Sequence, residues 1–354
     1  MTSTPATPDP RPTRLVARSR DDLVAMVPVV LGFVPSESVT LLTFDAARVF
    51  HARVDLPHDA ADDLLLVEAF LEPARRHRVR TAAVVVHTPR PARFEQVARP
   101  LLRALLSAGV RVVDVLRADL GAVWCLDCDE APRPGAPCAG HPCAVGSHRF
   151  AAQAVLDGRV VHSSREELAA TLVPDAATLA RRPGVREAAL AHDHRLAAAG
   201  SLAREATWLR RTLRRHLLDD TRLDDLRLGR LLADLGVVAL RDRAWERMDR
   251  ASATREVELW RDVVRRAPTE LCGPPAGVLA YAAWLRGDGA LAWCAVERGL
   301  ESGQDVDLVG FVSELLVRAE PPDGHRVPPS TAPTPAPTPA PSTVAGPGDG
   351  PLLA

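Results

Sequence analysis

Apolar and polar positions along the chain follow strand and helix periods up to about residue 163 and helix periods alone after it. Ser19, followed three residues later by Asp22, forms a capping box ahead of Leu23, Val24, Met26 and Val27. That pattern predicts a first helix from about residue 20, which Pro28 should kink or restart and Gly32 should end. Residues 39–44 are a short apolar run suited to a buried strand, and Phe50, Ala52, Val54 and Leu56 alternate with polar neighbours. A turn through Asp45 should join the two as a hairpin. Helical spacing returns over 62–77, a buried strand over 81–86, and Phe94, Val97, Leu101 and Leu105 make one helical stripe that Gly109 should terminate. Residues 110–116 read as the next strand, so 81–116 is a βαβ unit with parallel strands and a right-handed crossover. A strand at 122–126 would complete a mixed sheet.

Beyond Ser164 and Glu167, a second capping box, apolar stripes run through 202–218, 223–235, 257–266 and 278–284. Gly287-Asp288-Gly289 then supplies a C-cap, an N-cap and a turn before 291–300. The alanine-rich pair so formed, with Trp284 and Trp293 as bulk, has the pattern of one tetratricopeptide-type hairpin, a unit that normally needs about three repeats to bury a core. The fold class expected is therefore an α/β domain (14–162, a mixed sheet with a βαβ unit) followed by an all-α, helical-hairpin domain (163–320). Residues 1–13 and the Pro/Thr/Ala-rich 321–354 cannot bury enough apolar surface to order, and both are expected to be disordered.

Composition alters this picture mainly by exclusion. The chain contains no Lys, Asn or Ile, so all 44 basic residues are Arg. This is the codon bias of a GC-rich bacterial genome, and it removes the phosphate-binding loop lysine, the Schiff-base lysine and the kinase lysine together. No nucleophile elbow, zinc-binding H-E-x-x-H or dinucleotide-binding glycine turn is found either. A net charge of -1 gives no global pull toward polyanions. No apolar run approaches the roughly eighteen residues of a membrane span, and no signal-type apolar segment follows the first residues. A cytoplasmic protein is expected.

Three groups of residues carry candidate chemistry. Cys125-x2-Cys128-x9-Cys138-x4-Cys143, with His141 and His148 nearby in the loop 125–148, holds four of the six cysteines. Two thiolate pairs could close a tetrahedral structural zinc site, although the x9 and x4 gaps are unusual for one and ordinary loop thiols are the competing reading. Ser36, Glu37 and Ser38 lie between a helix end and a buried strand, where α/β proteins often place ligand-contacting loops; the plainer reading is a turn that satisfies its own backbone. Arg210, Arg211, Arg214, Arg215 and His216 form a basic stripe beside Trp208, but Asp219, Asp220, Asp224 and Asp225 follow at once. Interleaved acids argue for a solvated face and against nucleic acid. His192-Asp193-His194 is read as surface, and Cys272 and Cys294 as core.

Pro28, Leu31, Gly32, Phe33, Pro35 and Ser38, then Trp124, Gly158 and Ser164-Arg165-Glu166-Glu167, then Ala280 and Gly287 to Ala292, together resemble the actinobacterial family called domain of unknown function (DUF) 4192. The resemblance spans roughly residues 14–318 and implies the two-part architecture without an activity. Its pattern has adjacent cysteines before a Pro and a Gly, whereas Cys125 and Cys128 are separated here, so it carries no metal site over. The residues favour a non-catalytic interaction or regulatory protein that takes a protein partner through the C-terminal helices, along an apolar groove at 274–318. The alternative is a small-molecule-binding protein or enzyme with its site at 34–38.

Overall fold

The computed structural model describes residues 15–46, 50–127, 138–196, 201–219, 221–304 and 306–322. The segments expected to be disordered therefore lie outside the described residues, apart from Pro321 and Pro322. The chain divides into two compact units between Arg165 and Glu166.

The first unit runs α1 (Arg20–Leu31), β1 (Ser38–Phe44), β2 (His51–Asp55), α2 (Asp63–Arg76), β3 (Thr81–His87), α3 (Pro91–Ser107), β4 (Arg111–Asp119), β5 (Ala122–Cys125), β6 (His141–Pro142) and α4 (Arg149–Leu156). Ser19 caps α1, its Oγ accepting from the Asp22 N–H at 3.1 Å. Gly32 ends the helix at φ 77°, a left-handed turn that a side chain would resist. The expected kink at Pro28 does not divide α1. One missing N–H is a small loss beside the burial of Val24, Val27 and Leu31 around it.

The strands form one mixed sheet in the order β2-β1-β3-β4-β5-β6. β1 is antiparallel to both β2 and β3, β3 and β4 are parallel across α3, and β5 runs antiparallel to β4. Asp45 opens the β1–β2 turn at φ 48°; its tip, 47–49, is outside the described residues. Both α1 and α3 pack on β3 and β4. β3 is consequently buried at all seven positions, which explains why its sequence is continuously apolar from Ala82 to Val86 rather than alternating.

After Arg165 the described elements are all helical: α5 (Arg165–Ala170), α6 (Ala176–Leu196), α7 (Ser201–Asp219), α8 (Asp225–Leu235), α9 (Val238–Trp245), α10 (Ala253–Arg266), α11 (Gly273–Arg286), α12 (Gly289–Leu300) and α13 (Asp307–Val317). The α11–α12 hairpin forms as its turn residues require, with Gly287 at φ 84° and Asp288 Oδ1 accepting from the Leu291 N–H at 3.0 Å. α10, α12 and α13 pack around α11, and every residue from Gly273 to Leu285 is buried. Within the stretch 274–318, α11 is thus covered by the chain's own helices, while a concavity of about 460 Å³ lies between α12 and α13, lined by Leu300, Val306, Val309 and Phe311. α6 and α9 show no clear apolar stripe in the sequence because their inward faces carry few large apolar residues: Val185, Ala189 and His192 on α6, Leu240, Arg241 and Ala244 on α9. No helix among the described residues is long and apolar enough to cross a membrane.

Candidate functional sites

The 34–38 loop leaves α1 and feeds β1 beside the carboxyl end of β3. Glu37 sits at φ 39°, a region non-glycine residues seldom adopt, and its main chain is held by a bond from the Leu56 N–H to its carbonyl at 2.8 Å. Its carboxylate accepts from Thr88 Oγ1 at 3.0 Å and pairs with the Arg90 guanidinium. Ser36 is exposed and offers its carbonyl to Arg53 Nη2 at 3.5 Å. Ser38 is fully buried in β1, opposite His87 of β3 and Asp55 of β2. The three residues therefore face different surroundings. Beneath them lies a buried polar strip of Ser38, Thr40 and His87, in which both hydroxyl oxygens and His87 Nδ1 make no hydrogen bond. Burial, and then the charge of Arg53, push the His87 imidazole down to about 3, so it is neutral at ordinary pH.

The cysteine loop is brought against the first turn of α1. Cys125, at the end of β5, and Cys138 meet at 3.4 Å between sulfurs, and the Gly140 N–H donates to Cys138 Sγ at 3.4 Å. Trp124 lies beneath the Arg117 guanidinium at 3.6 Å. Cys143 is buried apart from this pair; burial, then the neighbouring Asp21 carboxylate that its thiol hydrogen-bonds, push it up to about 11. His141 Nε2 lies 2.8 Å from Asp21 Oδ1 and His148 Nε2 3.0 Å from Asp22 Oδ1. Asp22 Oδ2 also accepts from the Arg18 N–H at 2.6 Å and Arg149 Nη2 at 2.7 Å. Both histidines thus fasten this segment to α1. Cys128 lies outside the described residues.

A third group was not anticipated. His192 of α6, read from the sequence as surface, is buried; only its neighbours Asp193 and His194 are exposed. Consecutive helical residues point in different directions, and 185, 189 and 192 share the face turned to α8. His192 Nε2 lies 3.1 Å from Asp234 Oδ1 of α8 and 3.4 Å from Glu205 Oε2 of α7. Arg230 donates twice to that Glu205 oxygen, at 2.9 and 2.7 Å, and stacks over Trp208 at 4.0 Å. Burial first, then the Glu205 charge, push the Asp234 carboxyl up to about 7. A signal was present in the sequence. Glu205 stands in register with Leu209 and Leu213, and His192 with Val185 and Ala189, at positions where an apolar stripe calls for an apolar residue.

The helical unit also carries two adjoining concavities of about 570 and 600 Å³ along α6. They share Arg186, Leu190 and Glu270, and an Arg186–Glu270 ion pair bridges α6 to the 269–271 turn. Leu179 and Leu190, 49% and 58% exposed, stand in the first. On α7 the Arg210, Arg211, Arg214 and Arg215 side chains are exposed, with Arg215 3.5 Å from Asp219, while His216 is buried and bonded to Thr221.

No curated protein and no solved structure matches this chain. A family model does match, over residues 21–323, from the first turn of α1 past the end of α13 and so across both units. The chain belongs to the family described as Domain of unknown function (DUF4192).

Proposed function

We propose that this protein is a non-catalytic interaction protein whose all-α, hairpin-containing C-terminal domain receives an apolar helical segment of a protein partner, with the α/β domain as scaffold. The observation that carries this reading is the paired concavity along α6. It is apolar at Leu179, Leu190 and Leu271, edged by Arg186 and Glu270, and of the size and chemistry that an amphipathic helix fills. The cytoplasmic location belongs to the same proposal and rests on the apolar pattern of the sequence. A small-molecule site at 34–38 has less support, because Glu37 is already engaged by Thr88 and Arg90 and Ser38 is sealed within the sheet.

A photoreactive residue placed at Leu190 in cells tests the proposal. The expected result is a reproducible cross-link to one other protein, abolished by Leu179→Glu with Leu190 labelled and with thermal stability unchanged. Cross-links confined to this chain's own residues would overturn it.

A structural zinc ion on the cysteine loop is a second reading, favoured by the Cys125–Cys138 contact and by the N–H that Gly140 directs at Cys138 sulfur, an arrangement that stabilises a thiolate. Cys143 as a thiol facing Asp21 supports a set smaller than the four cysteines. Zinc content that falls in a Cys125→Ser, Cys138→Ser variant and is unchanged in Cys143→Ser is the expected outcome.

A further inference from the structure

We propose that His192, Glu205 and Asp234 form a binding site for one divalent transition-metal ion, inside the helical unit and independent of both the α6 groove and the cysteine loop. The three residues come from three different helices, α6, α7 and α8, and one ligand atom from each falls within 4.8 Å of the others. Protein ligands about 2.0–2.1 Å from a zinc ion at tetrahedral vertices lie roughly 3.3 Å from one another. The observed separations from His192 Nε2, 3.1 Å to Asp234 and 3.4 Å to Glu205, straddle that value.

A further observation points to a cation. Asp234 is 0% exposed, yet its Oδ2 accepts no hydrogen bond, so a buried carboxylate oxygen is left without a donor. Among the described residues the Arg230 guanidinium stands beside the trio and donates twice to Glu205 Oε2. One imidazole and two carboxylates suit zinc, manganese or iron(II) rather than calcium, and three protein ligands leave a further position open. Arg230 then acts as the outer group that orients Glu205, as hydrogen-bonded carboxylate ligands generally require.

The test uses the full chain, purified untagged and without chelator, then stripped and titrated with Zn²⁺ and Mn²⁺. One ion should bind per chain at this site, remain in the Cys125→Ser, Cys138→Ser variant, and disappear in Asp234→Asn. Arg230→Met should weaken it by about ten-fold or more. Added metal should raise the melting temperature of the helical unit in the wild type and leave Asp234→Asn unmoved. If Asp234→Asn does not fold, His192→Gln serves with the same expectations. A stripped wild type that takes up neither ion, or whose metal survives both variants, would overturn the proposal and leave the trio as a proton-sharing buried network. Neither result bears on cross-linking at Leu190, so the two proposals fail separately.

Discussion

Glu256, on α10, shows how a charged residue can be placed by its neighbour's needs. It is buried, and its Oε2 accepts from Trp260 Nε1 at 3.0 Å, the one polar group of a tryptophan that is itself 0% exposed. Burial pushes the Glu256 carboxyl up to about 7, despite that hydrogen bond and the nearby Arg255. Glu256→Gln keeps an acceptor for the indole and removes the charge. It should therefore stabilise the protein at pH 8 by about 1–3 kcal/mol and change little at pH 5, as measured by denaturant unfolding at both pH values. Gly229 is decided by space instead. A Cβ there would stand 2.5 Å from Ala188 Cβ and 2.7 Å from the Val185 carbonyl oxygen, because α6 and α8 approach closely at this point. Gly229→Ala should cost about 1–3 kcal/mol in chemical denaturation, and it should also weaken Zn²⁺ binding, since the same contact brings His192 to Asp234.

Among the elements, α11 depends most on what surrounds it. Its one polar indole, Trp284 Nε1, donates to the Glu320 carbonyl at 2.7 Å, and Pro321 beyond it is buried. The ordered chain thus extends slightly past the boundary the composition suggests. Truncation after Pro322 should leave the melting temperature unchanged. Truncation after Arg318 should lower stability by about 1 kcal/mol or more, through the lost acceptor and the buried proline. The sheet was readable because its central strands state their own surroundings: β3 is apolar from Ala82 to Val86 and buried at every position, and the β3-α3-β4 sequence fixes a parallel pair. α6 was not readable. Its inward face reads Val185, Ala189, His192, and only contact with α8 makes the histidine an interior residue.

At the scale of the molecule, the two units should respond oppositely to pH. In the sheet unit His87 is held neutral, its pKa lowered from 6.5 to about 3. The unfolded chain takes up a proton there that the folded chain refuses, so stability is full above pH 6.5 and falls by up to about 1.4 kcal/mol per pH unit below it. His51, lowered to about 4, adds in the same direction. In the helical unit Glu256 is raised from 4.5 to about 7, so its contribution is fully present below pH 4.5 and is lost as pH rises through 7. Calorimetry of metal-stripped protein should show the sheet transition moving down and the helical transition moving up between pH 7.5 and 5.5. Transitions that move together would refute the assignment of these groups.

The sequence by itself determined the caps at Ser19 and Asp288, the left-handed glycines at 32 and 287, the parallel pairing within the βαβ unit and the helical character of the described elements beyond residue 165. These follow from backbone geometry and local periodicity, which neighbouring residues suffice to specify. Tertiary structure alone decided that Cys125 meets Cys138 while Cys143 turns to Asp21, that Glu37 is engaged by Thr88 and Arg90, and that His192, Glu205 and Asp234 converge. Each of those pairings joins groups from separate elements. Which side chains meet depends on how closely two helices or strands pack, a distance set by residues such as Gly229 and Ala188 that carry no chemistry of their own.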